Sequence, residues 1–219
     1  AARARELFAD LEGHAAPLSE PPAPARAAAP HQKIETDAED QAHLYLGQLT
    51  VARGHADYAA LEVVGVALGA GAGLSGRIPL RIREKEGLAY TAYAQTVAGS
   101  GLDPGRLLVY VGTSPATVEK AEASAREEIA RLVSDGLTEE EVSEARAYLL
   151  GRDPFQRETA RQWAEILAEA ELYGLALDDP QARTRSLLEV DLARANAAIR
   201  EHVHPDRLFA TVGLPRADD

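Results

Sequence analysis

The densest group of chemically special residues lies at positions 68–90, in the stretch LGAGAGLSGRIPLRIREKEGLAY. Its glycines superficially resemble a phosphate-binding G-x-G-x-x-G loop. However, they follow a predicted helix, whereas a dinucleotide fingerprint follows a strand. Ser75 stands among these glycines outside any G-x-S-x-G context, so a serine nucleophile is not indicated.

Two further side chains in this stretch are candidates for ligand contact, namely Arg83 and Tyr90. The residues alone favour a plainer interpretation. In it, Arg83 pairs with Glu84 or Glu86, and Tyr90 is an ordinary strand aromatic.

Histidines are the other side chains that could support catalysis, as zinc ligands. The chain has six: His14, His31, His43, His55, His202 and His204. Zinc hydrolases need converging ligands, such as two histidines on one helical face beside a glutamate, and neither H-E-x-x-H nor H-x-x-E-H occurs. We interpret residues 201–204, which include His202 and His204, as a helix end, where cations are favoured. We interpret His55 and Asp57 as residues at the start of a helix. We therefore expect no metal in this chain.

Composition excludes several classes of function. The chain has 219 residues, 46% of them hydrophobic, and a formal net charge of -12. This charge repels phosphate backbones and anionic membranes, so we expect neither a nucleic-acid nor a membrane partner. The absence of cysteine excludes disulfides and thiolate metal sites. The first residues lack the apolar core of a signal peptide, and the chain has no Met, so we expect it to begin inside a longer protein.

The elements that must position these residues follow from hydrophobic periodicity. We predict strands over 40–51, 88–98, 106–112 and 207–213. We predict helices over 1–11, 56–69, 77–85, 114–136, 138–153, 159–174 and 191–202. Adjacent strands near the middle of the chain favour an α+β fold with a mostly antiparallel sheet and helices packed on one face. We expect residues 1–30 to be the tail of a preceding domain with a Pro/Ala linker, 31–215 to be the folded domain, and 216–219 to be disordered.

The stretch LG…SGRI…LRIREKEGLAY, followed by GLTEEEV at 136–142, resembles a known family. It is similar to the second, non-catalytic domain of M16 zinc peptidases, which include pitrilysin and the mitochondrial processing peptidase. Over residues 31–214 the predicted elements follow the order of that domain. The resemblance implies two halves that close like a clamshell, one of which carries zinc on an H-x-x-E-H motif.

The resemblance also implies roles for particular residues. The opposing half supplies a glycine-rich loop and an Arg/Tyr pair, which match Gly69, Gly71, Gly73 and Ser75, and Arg83 with Tyr90. A guanidinium and a phenol can hold peptide carbonyls or stabilise an oxyanion, and glycines let a peptide backbone approach closely. The glycine stretch is two residues longer than the family pattern, and Gly76 replaces a serine.

Because H-x-x-E-H is absent, we expect this chain to be inactive alone, with zinc expected only in the complete enzyme. The zinc motif would lie upstream or, as we prefer, in a partner chain. The expected partners are a peptide substrate and a zinc-bearing M16 domain or subunit, within a dimer in the cytoplasm. The alternative is a non-proteolytic scaffold or assembly module of the same fold.

Overall fold

The computed structural model describes residues 3, 6, 9, 31–36, 41–70, 76–175 and 181–216. Arg3 and Glu6 are helical, as predicted for the first eleven residues. The predicted linker over 17–30 and the last three residues, 217–219, lie outside the described residues. Among the described residues, no helix combines the length and apolarity needed to cross a membrane.

The framework is a five-stranded sheet whose strands run in the order β1-β5-β2-β4-β3. β1 runs parallel to β5, and every other pair of neighbours is antiparallel. The predicted α+β class with a mostly antiparallel sheet is therefore confirmed. The strands are β1 (His31–Thr36), β2 (Ala42–Leu49), β3 (Ala89–Ala98), β4 (Arg106–Thr113) and β5 (Phe209–Pro215).

The helices follow the predicted order, with short irregular turns between them. α1 continues into a wider turn over Val66–Ala70, and α2 continues into another over Leu80–Lys85. α3 packs on β2 and β4, while α1 packs on β3 and α7. The helices are α1 (Tyr58–Gly65), α2 (Arg77–Pro79), α3 (Val118–Asp135), α4 (Glu139–Arg152), α5 (Ala160–Leu172), α6 (Ala182–Leu188) and α7 (Leu192–His202).

The two faces of the sheet differ in chemistry because successive side chains of a strand point to opposite sides. One face is aliphatic and fully buried, and cross-strand neighbours such as Leu46 and Val109 belong to the main core. The opposite face carries a row of tyrosines in register, in which Tyr110 lies between Tyr45 and Tyr93 with ring centroids 5.0 and 5.2 Å away. The core thus lies between the aliphatic face and the helices.

Several sequence predictions need correction. β1 was not predicted because HQKIET contains a single aliphatic residue, Ile34, and its pairing depends on β5 near the other end of the chain. α6 was not predicted either. α3 begins at Val118 and not just after Ser114, because residues 114–117 form a turn closed by a hydrogen bond from the Thr117 N–H to the Ser114 carbonyl. In α5, Leu167 is 44% exposed, although the hydrophobic periodicity that predicts this helix would place it inward.

Thr138 and Glu141 have the spacing of a capping box, and the structure contains one at the start of α4. The Thr138 side chain accepts a hydrogen bond from the Glu141 N–H, and the Glu141 carboxylate accepts one from the Thr138 N–H. We expect Thr138→Ala to lower the free energy of unfolding by about 1 kcal/mol, because the Glu141 N–H loses its side-chain acceptor. Urea denaturation measures this change. Ser134→Ala is the matched control, since Ser134 bonds only to its neighbours Arg131 and Asp135. Equal stability of both variants would contradict the capping role.

Candidate functional site

The structure brings Arg83 and Tyr90 together at the surface. The Arg83 guanidinium carbon lies 5.4 Å from the centroid of the Tyr90 ring, within the range of a cation–π contact. Arg83 also approaches Glu84, with 3.6 Å between Nε and Oε1, while 78% of Tyr90 is exposed. Both polar ends therefore remain accessible to a ligand.

The chain between these two residues is a tight turn. The Glu86 N–H donates to the Arg81 carbonyl at 3.0 Å, and the Leu88 N–H donates to the Ile82 carbonyl at 2.9 Å. Ile82 is fully buried and Leu88 nearly so. The turn therefore has an apolar anchor at each end of its hydrogen-bonded part, and Arg83 projects from between them.

Tyr90 projects from a β-bulge. Ala89 pairs with Thr113 and Thr91 pairs with Gly112, so two steps on β3 match one step on β4 and Tyr90 is the extra residue. Strict alternation along β3 would place Tyr90 on the same face as the buried Ala92, but Tyr90 is exposed. A bulge turns a side chain away from the regular alternation of a strand, and here it directs the phenol into solvent.

A second arginine of the turn anchors it to α3. Arg81, whose side chain is 19% exposed, bonds Glu86 at 2.9 Å and also contacts Glu127 and Glu128. These bonds, that to Glu86 foremost, raise the pKa of Arg81 above its ordinary value. Ser124 of α3 donates to the other carboxylate oxygen of Glu86 at 2.6 Å. Both oxygens of Glu86 are thus engaged, and the turn is held rigidly on the helix.

These bonds change the pKa of Glu86. The Ser124 hydroxyl, with a further contribution from Arg81, holds the pKa of Glu86 below its ordinary value of 4.5 even though burial opposes this. A similar change in pKa affects Glu141 of α4, the partner of Arg77 at the start of α2. Burial would raise the pKa of Glu141, but bonds from Arg77 and the Thr138 N–H outweigh it and lower the pKa.

Arg77 forms the second ionic anchor. It donates to both carboxylate oxygens of Glu141, at 2.6 and 2.8 Å, and to the carbonyl of Gly136 at 2.7 Å. A bidentate arginine–carboxylate pair fixes orientation as well as distance. The short helix before Arg83 is therefore tied to the junction of α3 and α4.

Of the glycine-loop residues predicted to meet substrate, only Gly69 lies within the described residues; Gly71, Gly73 and Ser75 lie outside them. Gly69 is buried with φ 148°, and Gly76, at the other end, has φ 105°. A Cβ on Gly76 would lie 2.6 Å from the Cα of Gly69, so the two backbones touch. Gly69 and Gly76 therefore close the base of the loop, and glycine is required at both positions.

The Arg83–Tyr90 pair stands outside two cavities of the described chain. One, of about 380 Å³, lies beside His31 and Glu122, and the other, of about 320 Å³, lies between Glu62 and Arg152. Neither is lined by Arg83 or Tyr90. The pair thus forms an open surface rather than an enclosed site.

Comparison with known proteins identifies the family. The model of the peptidase M16 inactive domain matches residues 2–149. The chain belongs to the M16 peptidase family. Among its relatives is an uncharacterized zinc protease of Streptomyces coelicolor, 33% identical over 157 residues, which cover 70% of this chain and 33% of that protein. A Helicobacter pylori protein named a non-peptidase homolog is 27% identical over 195 residues, covering 85% of this chain and 43% of that protein.

Solved structures agree with the fold of this M16 domain. The crystal structure of a peptidase M16 inactive domain from Pseudomonas fluorescens superposes with a TM-score of 0.79 at 24% identity, covering 90% of this chain and 46% of that chain. The M16 resemblance inferred from the sequence is therefore confirmed. The chain spans less than half the length of these relatives.

The residues that position the pair in this M16 domain were not predicted from the sequence. Glu86 was expected only as a partner of Arg83, whereas the structure pairs Glu86 with Arg81 and Ser124. Arg81 and Glu86 are five residues apart, a spacing that does not indicate a helical ion pair, and Ser124 is 38 residues further along the chain. The available hint in the sequence was a pair of adjacent glutamates, Glu127 and Glu128, which could face the basic segment before Arg83.

The lowered pKa of Glu86 predicts a pH dependence of stability. Because the pKa is lower in the folded than in the unfolded chain, this stabilisation is complete above the ordinary value of 4.5 and is lost as pH falls through the folded value. We expect Glu86→Gln to lower the free energy of unfolding by about 2 kcal/mol at pH 7, and by less at pH 3. Urea denaturation across pH measures both. Glu84→Gln, at a carboxylate side chain that is 43% exposed, should have little effect at either pH. Parallel pH curves for Glu86→Gln and the unmodified chain would contradict the assignment.

The contact between Gly69 and Gly76 predicts a large cost for Gly76→Ala. The added methyl group would meet backbone at 2.6 Å in a conformation that alanine disfavours, so we expect a loss of at least about 2 kcal/mol of unfolding free energy. Gly151→Ala is the matched control, because a Cβ at this helical position meets nothing within 4 Å. That variant should be neutral or stabilising by roughly 0.5–1 kcal/mol. Thermal and urea denaturation compare the two variants, and equal effects would contradict the close approach.

Proposed function

We propose that this M16 domain holds substrate peptide for a zinc-bearing M16 domain or subunit, which hydrolyses the peptide bond. The observation that carries the proposal is the exposed Arg83–Tyr90 pair on a rigidly anchored turn. The guanidinium and phenol donate hydrogen bonds to peptide carbonyls, or to the oxyanion that forms beside the metal. Their open setting suits a site that a second domain completes.

The division of labour follows from the sequence. H-x-x-E-H is absent from the chain, so the zinc of the complete enzyme is held elsewhere, upstream or in a partner subunit. The zinc supplies the activated water for hydrolysis. Arg83 and Tyr90 orient the peptide against it, and the loop that starts at Gly69 approaches the peptide backbone. Gly71, Gly73 and Ser75 belong to that loop by sequence.

A second candidate function is a non-proteolytic scaffold of M16 fold. It is supported by the Helicobacter pylori relative, whose name denies peptidase activity. The retained Arg83–Tyr90 geometry favours the peptidase role, because assembly alone places no demand on two exposed donors seven residues apart.

Substitution of the pair tests the proposal in the complete protein or reconstituted complex. We expect Arg83→Ala to lower kcat/KM for peptide cleavage roughly tenfold to a hundredfold, and Tyr90→Phe to lower it about tenfold, because each removes donors aimed at peptide oxygens. Thermal denaturation should be unchanged for both, since the two side chains are exposed.

A second arginine–tyrosine pair offers a matched control. Arg152 lies 5.4 Å from the ring of Tyr148 and also donates to its hydroxyl at 3.0 Å. Arg152→Ala should leave cleavage unchanged. Full activity of Arg83→Ala, or equal losses in Arg83→Ala and Arg152→Ala, would overturn the substrate-binding role. A complex that cleaves no peptide although its partner is present would support the scaffold.

A further inference from the structure

We propose that His55, Asp57 and His202 form a binding site for one divalent transition-metal ion, with Zn²⁺ as the natural choice. One ligand atom from each side chain lies within 4.8 Å of the other two. The Asp57 carboxylate oxygen Oδ2 is 3.0 Å from His202 Nε2 and 3.9 Å from His55 Nδ1. The two imidazole rings are 5.3 Å apart, edge to face.

The distances are close to those of a loaded site. Zinc binds imidazole nitrogen and carboxylate oxygen at about 2.0–2.2 Å, so neighbouring ligand atoms in a tetrahedron are about 3.3–3.5 Å apart. The 3.0 Å between Asp57 and His202 would have to open by about 0.4 Å to reach this separation. The 3.9 Å between Asp57 and His55 would have to close by about 0.5 Å, and His55 Nδ1 would give up the Asp57 N–H, which now lies 3.1 Å away. The loop position of His55 and its 43% exposed side chain allow this movement.

Asp57 is an unusual residue for its position. It is the N-cap of α1, where an aspartate ordinarily accepts a hydrogen bond from the backbone of the first helical turn. Its side chain makes no such bond. The carboxylate instead turns towards the two histidines and has oxygen available for a cation. This departure from capping is the second observation that points to a ligand.

Backbone contacts fix the position of His202. It is the last residue of α7, and Gln48 of β2 fixes the chain around it. The Gln48 side chain donates to the His202 carbonyl at 2.6 Å and accepts from the His204 N–H at 3.0 Å. Only 13% of the His202 side chain is exposed, so the ring has little freedom to turn away from Asp57.

The donor set selects the class of metal. Imidazole nitrogen with one carboxylate suits Zn²⁺, Co²⁺, Ni²⁺ and Cu²⁺, whereas Mg²⁺ and Ca²⁺ prefer oxygen ligands. Three protein ligands leave room for water. The guanidinium of Arg194, which donates to the Ala56 carbonyl at 2.9 Å, places a positive charge nearby and weakens the site. Binding should therefore be weaker than in a four-ligand structural zinc site.

This site has a structural consequence distinct from peptidase chemistry. Asp57 and His202 are 145 residues apart, so a metal would clip the loop before α1 to the end of α7. It would stabilise the folded chain by mass action. From the sequence, both groups were expected at helix ends and no metal was expected, because the pairing of these distant segments is invisible in the sequence. His202 is at a helix end as predicted.

Metal titration of the complete chain, prepared without a histidine tag, tests the proposal. Co²⁺ absorption and Zn²⁺ calorimetry should show one bound equivalent, and Zn²⁺ should raise the midpoint of thermal denaturation. His55→Ala should weaken binding at least about tenfold, as should Asp57→Asn and His202→Ala. His204→Ala is the matched control and should bind normally, since His204 uses its backbone N–H and not its ring in the contact with Gln48.

The exposed position of His55 makes it the decisive variant, because its substitution leaves the core intact. Unchanged affinity in a folded His55→Ala chain would overturn the proposal, since metal would then be held by other histidines. Failure of the unmodified chain to bind Co²⁺ or Zn²⁺ would overturn it as well. Loss of affinity in His55→Ala but not in His204→Ala would establish it.

Discussion

The geometry of the Arg83–Tyr90 surface depends on one cation, Arg81. Its guanidinium faces three carboxylates, those of Glu86, Glu127 and Glu128, which without it would repel one another at close range. Its ion pairs with Glu127 and Glu128 attach the turn to α3, and this attachment determines where Arg83 stands two residues later. The partly buried Arg81 therefore controls the position of the exposed Arg83, although no ligand needs to touch Arg81.

Much of the fold could be predicted because its signals are local. The capping box at Thr138, the apolar stripe of α3 and the alternation of β2 each depend on residues close in sequence. β1 escaped prediction because its strand conformation is stabilised by pairing with β5 rather than by its own composition. The bulge at Tyr90 escaped because a register shift leaves no mark on the residue types.

The candidate site was partly predictable for a different reason. Arg83 and Tyr90 were identified by a motif, and the structure shows how they meet across the turn. Their supports could not be predicted, because Arg81 and Ser124 contact Glu86 across elements whose packing must be known first. The cluster formed by the loop before α1 and the end of α7 was hidden for the same reason. The sequence identified the two candidate side chains, and the fold identifies the residues that position them.

Because the backbones of Gly69 and Gly76 touch, the fold around them does not depend on the length of the segment between them. Once the base is closed, the entropy lost in ordering the segment rises slowly, by about 0.6 kcal/mol for each doubling of length. This explains how the chain accommodates a glycine stretch two residues longer than the family pattern. Insertions and deletions between the two glycines should therefore cost little stability, so the segment can vary in length while its base stays in place.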